Sequence, residues 1–325
     1  MKKYKKFVMS FLSLVPIIFI VYLSSIYFLY FDSRNDSFSV KTYSDYKNNY
    51  ANSINDKKIV FISGSSNFLG IRASQIEDYF NIPSVNMGIH AGLQSGYIIY
   101  QAKKVLNKGD IAIVLFDYEN LTSNGEPSIV KNQYILTYDR DFFNNLDFVS
   151  QLKVLSSISL YDLAFSAYDG FGEFYTQETR HNFLKHLNKN GDMLDRDEHF
   201  ELKTKKSLLK LPNPITLETK GLKEMVEFKD WCVDNNIKFY LSYPNMIYRD
   251  EYKSLDVYKK YFSFIESYFK SHNIQTIGTP FDAMYPRKYF HDNQYHLISK
   301  GSDIRTKDFI KLSEDVLKED IQNKK

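Results

Sequence analysis

Residues 59–67 read IVFISGSSN, an apolar run that stops at a glycine and two serines. The run is short, rich in β-branched residues and bounded by turn formers, so it reads as a strand buried on both faces. Extended by one residue upstream it is KIVFIS at 58–63, and two other runs share its character: IAIVLF at 111–116 and IKFYLSY at 237–243. A weaker fourth lies at 274–277. Helical patterns separate them at 71–80, 94–106, 217–235, 255–271 and 302–317. Strand alternating with helix predicts an α/β domain with a mostly parallel sheet covered by helices on both sides. Sites in such sheets form at the carboxyl ends of strands, where Ser65 and Ser66 fall. The serines therefore have two readings. They are turn formers, or one of them is a nucleophile exposed on a tight strand-to-helix turn.

Outside the alternation, residues 7–31 run about 25 positions without a charge, where about 20 apolar residues suffice for a membrane-spanning helix. Lys2, Lys3, Lys5 and Lys6 precede the run, and Asp32, Arg34 and Asp36 follow it. That asymmetry predicts a single-pass protein of the cell membrane, with a cytoplasmic tail at 1–6 and the main domain outside. A cleaved signal peptide begins in the same way, but its apolar core is shorter and no small-residue cleavage site follows here. Residues 32–56 are polar and without a clear period, which predicts a juxtamembrane linker with one short helix, and the folded domain is expected at 57–325. The aromatic and charged stretch at 121–214 breaks the alternation and reads as an insertion, either a lid or substrate-binding element or a helical decoration.

The formal charge of +3 includes the four lysines of the tail, so no basic surface for nucleic acid is implied. Cys232 is the only cysteine, which excludes an internal disulfide and a cysteine-based metal site. It falls in a helical pattern and is expected in the core.

A serine nucleophile needs a histidine to take its proton, an acceptor that orients the histidine, and donors for the oxyanion. Of the seven histidines, His296 in FHDNQYHLISKG has the best context, just ahead of the last helical pattern and with Asp292 four residues upstream. His181 and His186 are five apart, off the i, i+4 spacing of two ligands on one helical face, so no metal site is expected there. His90 in GIHAG either lines the site or bonds within its own loop. No Gly-Lys-Ser/Thr follows the glycines of GSSNFLG, so there is no phosphate loop and no cofactor is implied.

ISGSSN near the domain start, VNMGIHAG at 85–92 and DNQYHL near the end resemble, in order and approximate spacing, the blocks of SGNH or GDSL-type hydrolases. The resemblance covers roughly 57–317 apart from the insertion, and is nearest to membrane-anchored members that act on bacterial cell-surface polymers. It implies an SGNH-like three-layer α/β/α sandwich behind one N-terminal transmembrane helix. It also implies a serine esterase or O-acyltransferase acting on a cell-surface glycan or polymer, alongside a multi-pass membrane partner that exports the acyl group. Carried over, the nucleophile is Ser66, the base His296, and the oxyanion donors the amides of Ser66 and Gly88. Two blocks depart from the family pattern. The last block places Asp292 four residues before His296 instead of three, where Asn293 stands, so either residue is a candidate for orienting the imidazole. The Gly-x-Asn-Asp block is replaced by FDYENL at 116–121, in which Asn120 is the available oxyanion donor and Asp117 or Glu119 has another role. The altered block supports an alternative, a catalytically silent glycan-binding or assembly protein on the same frame.

Overall fold

The structure is a computed structural model that describes residues 2–32, 35–169, 177–195 and 208–322. The chain forms two compact units, one of Met1–Lys41 with Pro127–Thr179 and one of Thr42–Glu126 with Arg180–Lys325.

The second unit is mixed α/β. Its strands are β1 (Ile59–Ile62), β2 (Ser84–Asn86), β3 (Ile111–Val114), β4 (Lys238–Ser242), β5 (Met246–Ile247), β6 (Thr276–Ile277) and β7 (Met284–Tyr285). Five of them build one sheet in the order β2-β1-β3-β4-β6, every neighbouring pair parallel, and β5 pairs with β7 separately. β1, β3, β4 and β6 lie on the four apolar runs. β2 was not legible as a strand, because it is three residues long and carries one aliphatic side chain, Val85.

All of β1 and β3 is buried, as continuous apolar runs require. Ile59, Phe61, Ile111 and Ile113 pack with Ile76 of the helix Ala73–Phe80 and with Phe309 and Leu317 of the helix Ser299–Gln322. Burying each such side chain is worth about 1.5–3 kcal/mol. Ile62 instead lines a small apolar pocket with Leu93, Tyr97 and Ile98 at the start of the helix Gln94–Lys103. The helices Lys220–Asp234 and Asp256–Ser271 occupy the remaining patterns read from the sequence.

Arg72, the residue before the helix Ala73–Phe80, supplies no side-chain cap. Asp192 does so from far along the chain, accepting from the amides of Ala73 at 2.7 Å and Ser74 at 3.0 Å. Thus the part of the 121–214 stretch around Asp192 serves the sheet unit's own architecture. Residues 170–176 and 196–207, which include parts of the segments SAYDGFGEF and LNKNGDMLDRDEHFE, lie outside the described residues.

The other unit holds a helix over Lys2–Leu29 that is long and apolar enough to cross a membrane. It also holds the helices Ile129–Tyr138, Arg140–Asn144, Phe148–Ser156 and Leu160–Asp169. The stretch read as a linker forms a 19-residue helix, Asn35–Ser53, and the chain passes from one unit to the other within it.

Candidate active site

From β1 the chain goes to β2 on one side and then to β3 on the other, so the sheet order reverses between β1 and β3. The crevice outside the carboxyl ends of these two strands is the topological switch point, where open parallel sheets place their sites. Ser66 follows β1, Gly88 follows β2, and Asp117 and Asn120 follow β3.

Ser66 lies on the short helix Ser65–Phe68 directly after Gly64. The turn packs so closely that only glycine fits at two points. A Cβ at Gly64 would stand 2.4 Å from Asp117 Oδ2 and 2.7 Å from Ala91 Cα, and one at Gly88 2.5 Å from the Phe68 nitrogen and 2.9 Å from the Gly64 oxygen. At Gly88 both obstacles are backbone, which cannot rotate away. Gly88→Ala should therefore destabilise the unit by about 1–3 kcal/mol, the usual cost of overpacking. Denaturant unfolding checks this, and an unchanged midpoint would show that the turn has slack.

Asparagines tie the first two blocks together. Asn86 Oδ1 accepts from Asn67 Nδ2 at 3.1 Å and from the Gly88 amide at 3.0 Å, while Asn86 Nδ2 donates to the carbonyl of Ile71 at 2.9 Å and that of Asn67 at 3.2 Å. The amide expected to hold an oxyanion at Gly88 is thus engaged by Asn86. Asn120 sits on the helix Tyr118–Thr122, and its Nδ2 is buried without a hydrogen-bond partner. It is an unspent donor at the end of β3.

The Ser66 side chain is fully buried, in contrast to the exposed hydroxyl expected of a nucleophile on a turn. The short helix turns it inward. Ser66 Oγ lies 3.2 Å from Ser63 Oγ, and Ser63 donates its own proton to the Leu115 carbonyl, which leaves Ser63 Oγ able to accept from Ser66.

Asp117 is buried beside it, and neither carboxylate oxygen forms a hydrogen bond. Burial raises its pKa to about 7, helped by the charge of Glu119 and opposed by the nearby hydroxyl and amide of Ser66. A charged Asp117 would repel an oxyanion formed at Ser66, whereas a neutral one can donate to it. The shift also sets a stability dependence. The folded state holds this proton more tightly than the unfolded chain, so the stabilisation is fully present below the ordinary aspartate pKa and is lost as pH rises to about 7. Relative to Asp117→Asn, the wild type should lose on the order of 4 kcal/mol between pH 4 and pH 7. Urea unfolding at several pH values tests this, and a gap independent of pH would contradict it.

His296 lies on a loop closed by an antiparallel bridge between Phe290 and Leu297. Its Nδ1 is 2.7 Å from Asp292 Oδ1. Asn293 Oδ1 accepts from the amides of Tyr295 at 2.8 Å and His296 at 3.0 Å, which fixes its amide orientation. Asn293 Nδ2 consequently faces the imidazole, 2.9 Å from Nδ1 and 3.2 Å from Nε2. Asp292 is thus the acceptor able to hold the proton on Nδ1, and Asn293 shapes the loop while donating towards the ring. Two links bring this loop to the strand ends. Gln294 Nε2 donates to Glu119 Oε1 at 3.1 Å, and Asn245 Nδ2 donates to the Tyr295 carbonyl. Asn245 also fills the space beside Gly70, where a Cβ would meet its Oδ1 at 2.0 Å. The structure brings Asp292 to His296 and ties their loop to the segments that follow β3 and β4, but no hydrogen bond joins Ser66 to His296.

Two residues went unnoticed in the sequence. Asn245 follows β4, and the strand-end rule would have flagged it. Lys47 is fully buried, donates from Nζ to the Gly88 carbonyl and stands 3.7 Å over the Phe68 ring. Burial holds its pKa well below the ordinary lysine value, against the pull of Asp192. Nothing in the pattern around Lys47 signals this. Of the remaining candidates, His90 Nδ1 accepts from the Gly92 amide at 2.9 Å, and His186 Nδ1 lies 3.4 Å from Asp195. Cys232 is buried, which pushes its thiol up to about 12.

No family model matches the chain, and no curated protein is significantly similar to it in sequence.

Proposed function

We propose that the chain is a membrane-anchored serine esterase or O-acyltransferase with an SGNH-like three-layer α/β/α domain, acting on a cell-surface glycan or similar polymer. The N-terminus is cytoplasmic and the sheet unit lies outside. The observation that carries the reading is the Asp292–His296 pair, on a loop linked through Glu119 and Asn245 to the carboxyl ends of β3 and β4, in the same sheet whose β1 leads to Ser66. With Nδ1 protonated towards Asp292, the basic nitrogen is Nε2. It takes the Ser66 proton as Oγ attacks an acyl carbonyl, and returns it to the leaving group. The acyl-enzyme then passes to water or to a polymer hydroxyl. Amide donors at Ser66 and Asn120 Nδ2, with Gly88 once released by Asn86, stabilise the oxyanion. A multi-pass membrane protein is the natural supplier of acyl groups to such a site. Catalysis requires Ser66 to turn from Ser63 towards Nε2 and Nε2 to part from Asn293.

The second reading, a catalytically silent glycan-binding or assembly protein, is favoured by the Ser66–Ser63 contact and by the engaged Gly88 amide. A fluorophosphonate probe applied to the full chain in detergent separates the two. Labelling mapped to Ser66 and lost in His296→Ala supports the enzyme, and a folded chain that resists the probe supports the silent protein.

A further inference from the structure

Within the unit of Met1–Lys41 and Pro127–Thr179, the apolar N-terminal helix changes character part-way along. Its side chains are exposed from residue 3 to residue 21, whereas Leu23, Ile26 and Tyr30 are buried. The cover comes from the helices Phe148–Ser156 and Leu160–Asp169 and the turn between them. Tyr22 donates its hydroxyl proton to the Ile158 carbonyl, and the Phe31 amide donates to Ser166 Oγ at 2.8 Å.

The exposed part has a telling length. Counted from Phe7, the first residue after the lysines, the exposed apolar residues make about 22 Å at about 1.5 Å each, and the ~30 Å hydrocarbon core of a bilayer takes about 20 residues, reaching about residue 26. If Lys2, Lys3, Lys5 and Lys6 mark one membrane surface, the other falls near Ile26, within the stretch from Tyr22 onwards that the two helices cover. Tyr22, Tyr27 and Tyr30 suit that boundary, since tyrosine gathers at membrane–water interfaces.

The same two helices carry large apolar side chains that remain wholly or partly exposed. Leu160 is 70% exposed, Tyr161 74% and Phe165 40%, and with Ala164 they occupy positions i, i+1, i+4 and i+5, one face of the helix. Tyr161 and Phe165 stack on that face with ring centroids 6.1 Å apart. Phe148 at 71% and Val149 at 57% open the neighbouring helix in the same way. Water-facing, these side chains would form an unfavourable patch, but at the headgroup boundary they would be buried.

We propose that the helices Phe148–Ser156 and Leu160–Asp169 form a platform that lies in the outer face of the bilayer, inserting Phe148, Leu160, Tyr161 and Phe165 among the lipid headgroups and upper acyl chains. The occupant of the apolar face is lipid, because the face is continuous with a helix whose lipid-length segment ends at it. The inference goes beyond the proposed catalysis and rests on the spanning reading of the N-terminal helix.

The test uses the full chain in phosphatidylcholine proteoliposomes. Cys232 is buried, so a maleimide-linked environment-sensitive dye will label a cysteine introduced by Leu160→Cys, or by Phe19→Cys within the span. The Leu160 label should be quenched by lipids brominated on the acyl chain near the headgroup and shielded from aqueous iodide, and the Phe19 label should be quenched by lipids brominated deeper. A Leu160 label open to iodide and untouched by brominated lipid, beside a lipid-quenched Phe19 label, would overturn the platform alone. A Leu160 label shielded from both quenchers would overturn it in favour of a protein partner on that face. An unquenched label at Phe19 would remove the spanning helix and the platform together. All of these outcomes leave the reading of the serine site untouched.

Discussion

Replacing Ser66 by alanine should abolish ester hydrolysis and acyl transfer, a loss on the order of 10⁶-fold if Ser66, His296 and Asp292 act as one unit. The same change should leave the domain folded. Ser66 Oγ contacts Ser63 Oγ and stands near Asp117, whose charged form it favours, and Ser63 keeps its bond to the Leu115 carbonyl when Ser66 is lost. One neutral hydrogen bond is worth about 1 kcal/mol, against about 2–5 kcal/mol for truncating a core leucine. Turnover of an activated ester and thermal unfolding, measured on the same preparation, check both halves. Destabilisation on the scale of a core deletion would assign the buried hydroxyl to packing.

Asp292→Asn should lower turnover by about 10⁴-fold, the cost of losing the tautomer and the charge support of a catalytic histidine. The 2.7 Å contact between Asp292 Oδ1 and His296 Nδ1 places that dependence on Asp292. Asn293→Ala acts differently. It removes the acceptor for the Tyr295 and His296 amides, and with it the donor that now faces Nε2. Its expected effect is a looser loop, lower thermal stability and a smaller loss of turnover. Steady-state kinetics of the two variants, with their melting curves, test the ranking. The reverse order would move the orienting role to Asn293.

What the sequence revealed follows from which forces are local. The runs at 58–63, 111–116 and 237–243 are strands because burial on both faces demands unbroken apolar residues, and that demand is written in composition. β2 escaped because β1 and the distant Asn190, which bonds the backbone of Ser84 and Asn86, hold it in the sheet, with little help from three residues of its own. Parallel pairing, strand order and hence the switch point are long-range outcomes that no window of sequence contains. The same division runs through the site. GSSN, NMG and DNQYHL could be picked out as blocks, and Asp292 could be placed near His296 because four residues on one loop stay close. That Ser66 turns inward to Ser63, that Asn86 engages the Gly88 amide, and that Asp117 meets Ser66 from β3 all depend on strands brought together by the fold. Lys47 is the extreme case, an ordinary lysine in a polar stretch until the Phe68 ring and the Gly88 carbonyl close over it. The helix Asn35–Ser53 was underestimated for the complementary reason, since part of its buried face, including Lys47, is polar and leaves no apolar period to read.

A working nucleophile at Ser66 leaves its mark as an acyl-enzyme. The full chain and its Ser66→Ala variant, incubated with an activated acetyl ester, would be compared by intact mass and by peptide mapping. One acetyl group is expected on Ser66, absent from the variant and strongly reduced in His296→Ala. A folded chain that stays unmodified at Ser66, or that is acetylated equally on surface lysines with and without the serine, would contradict it.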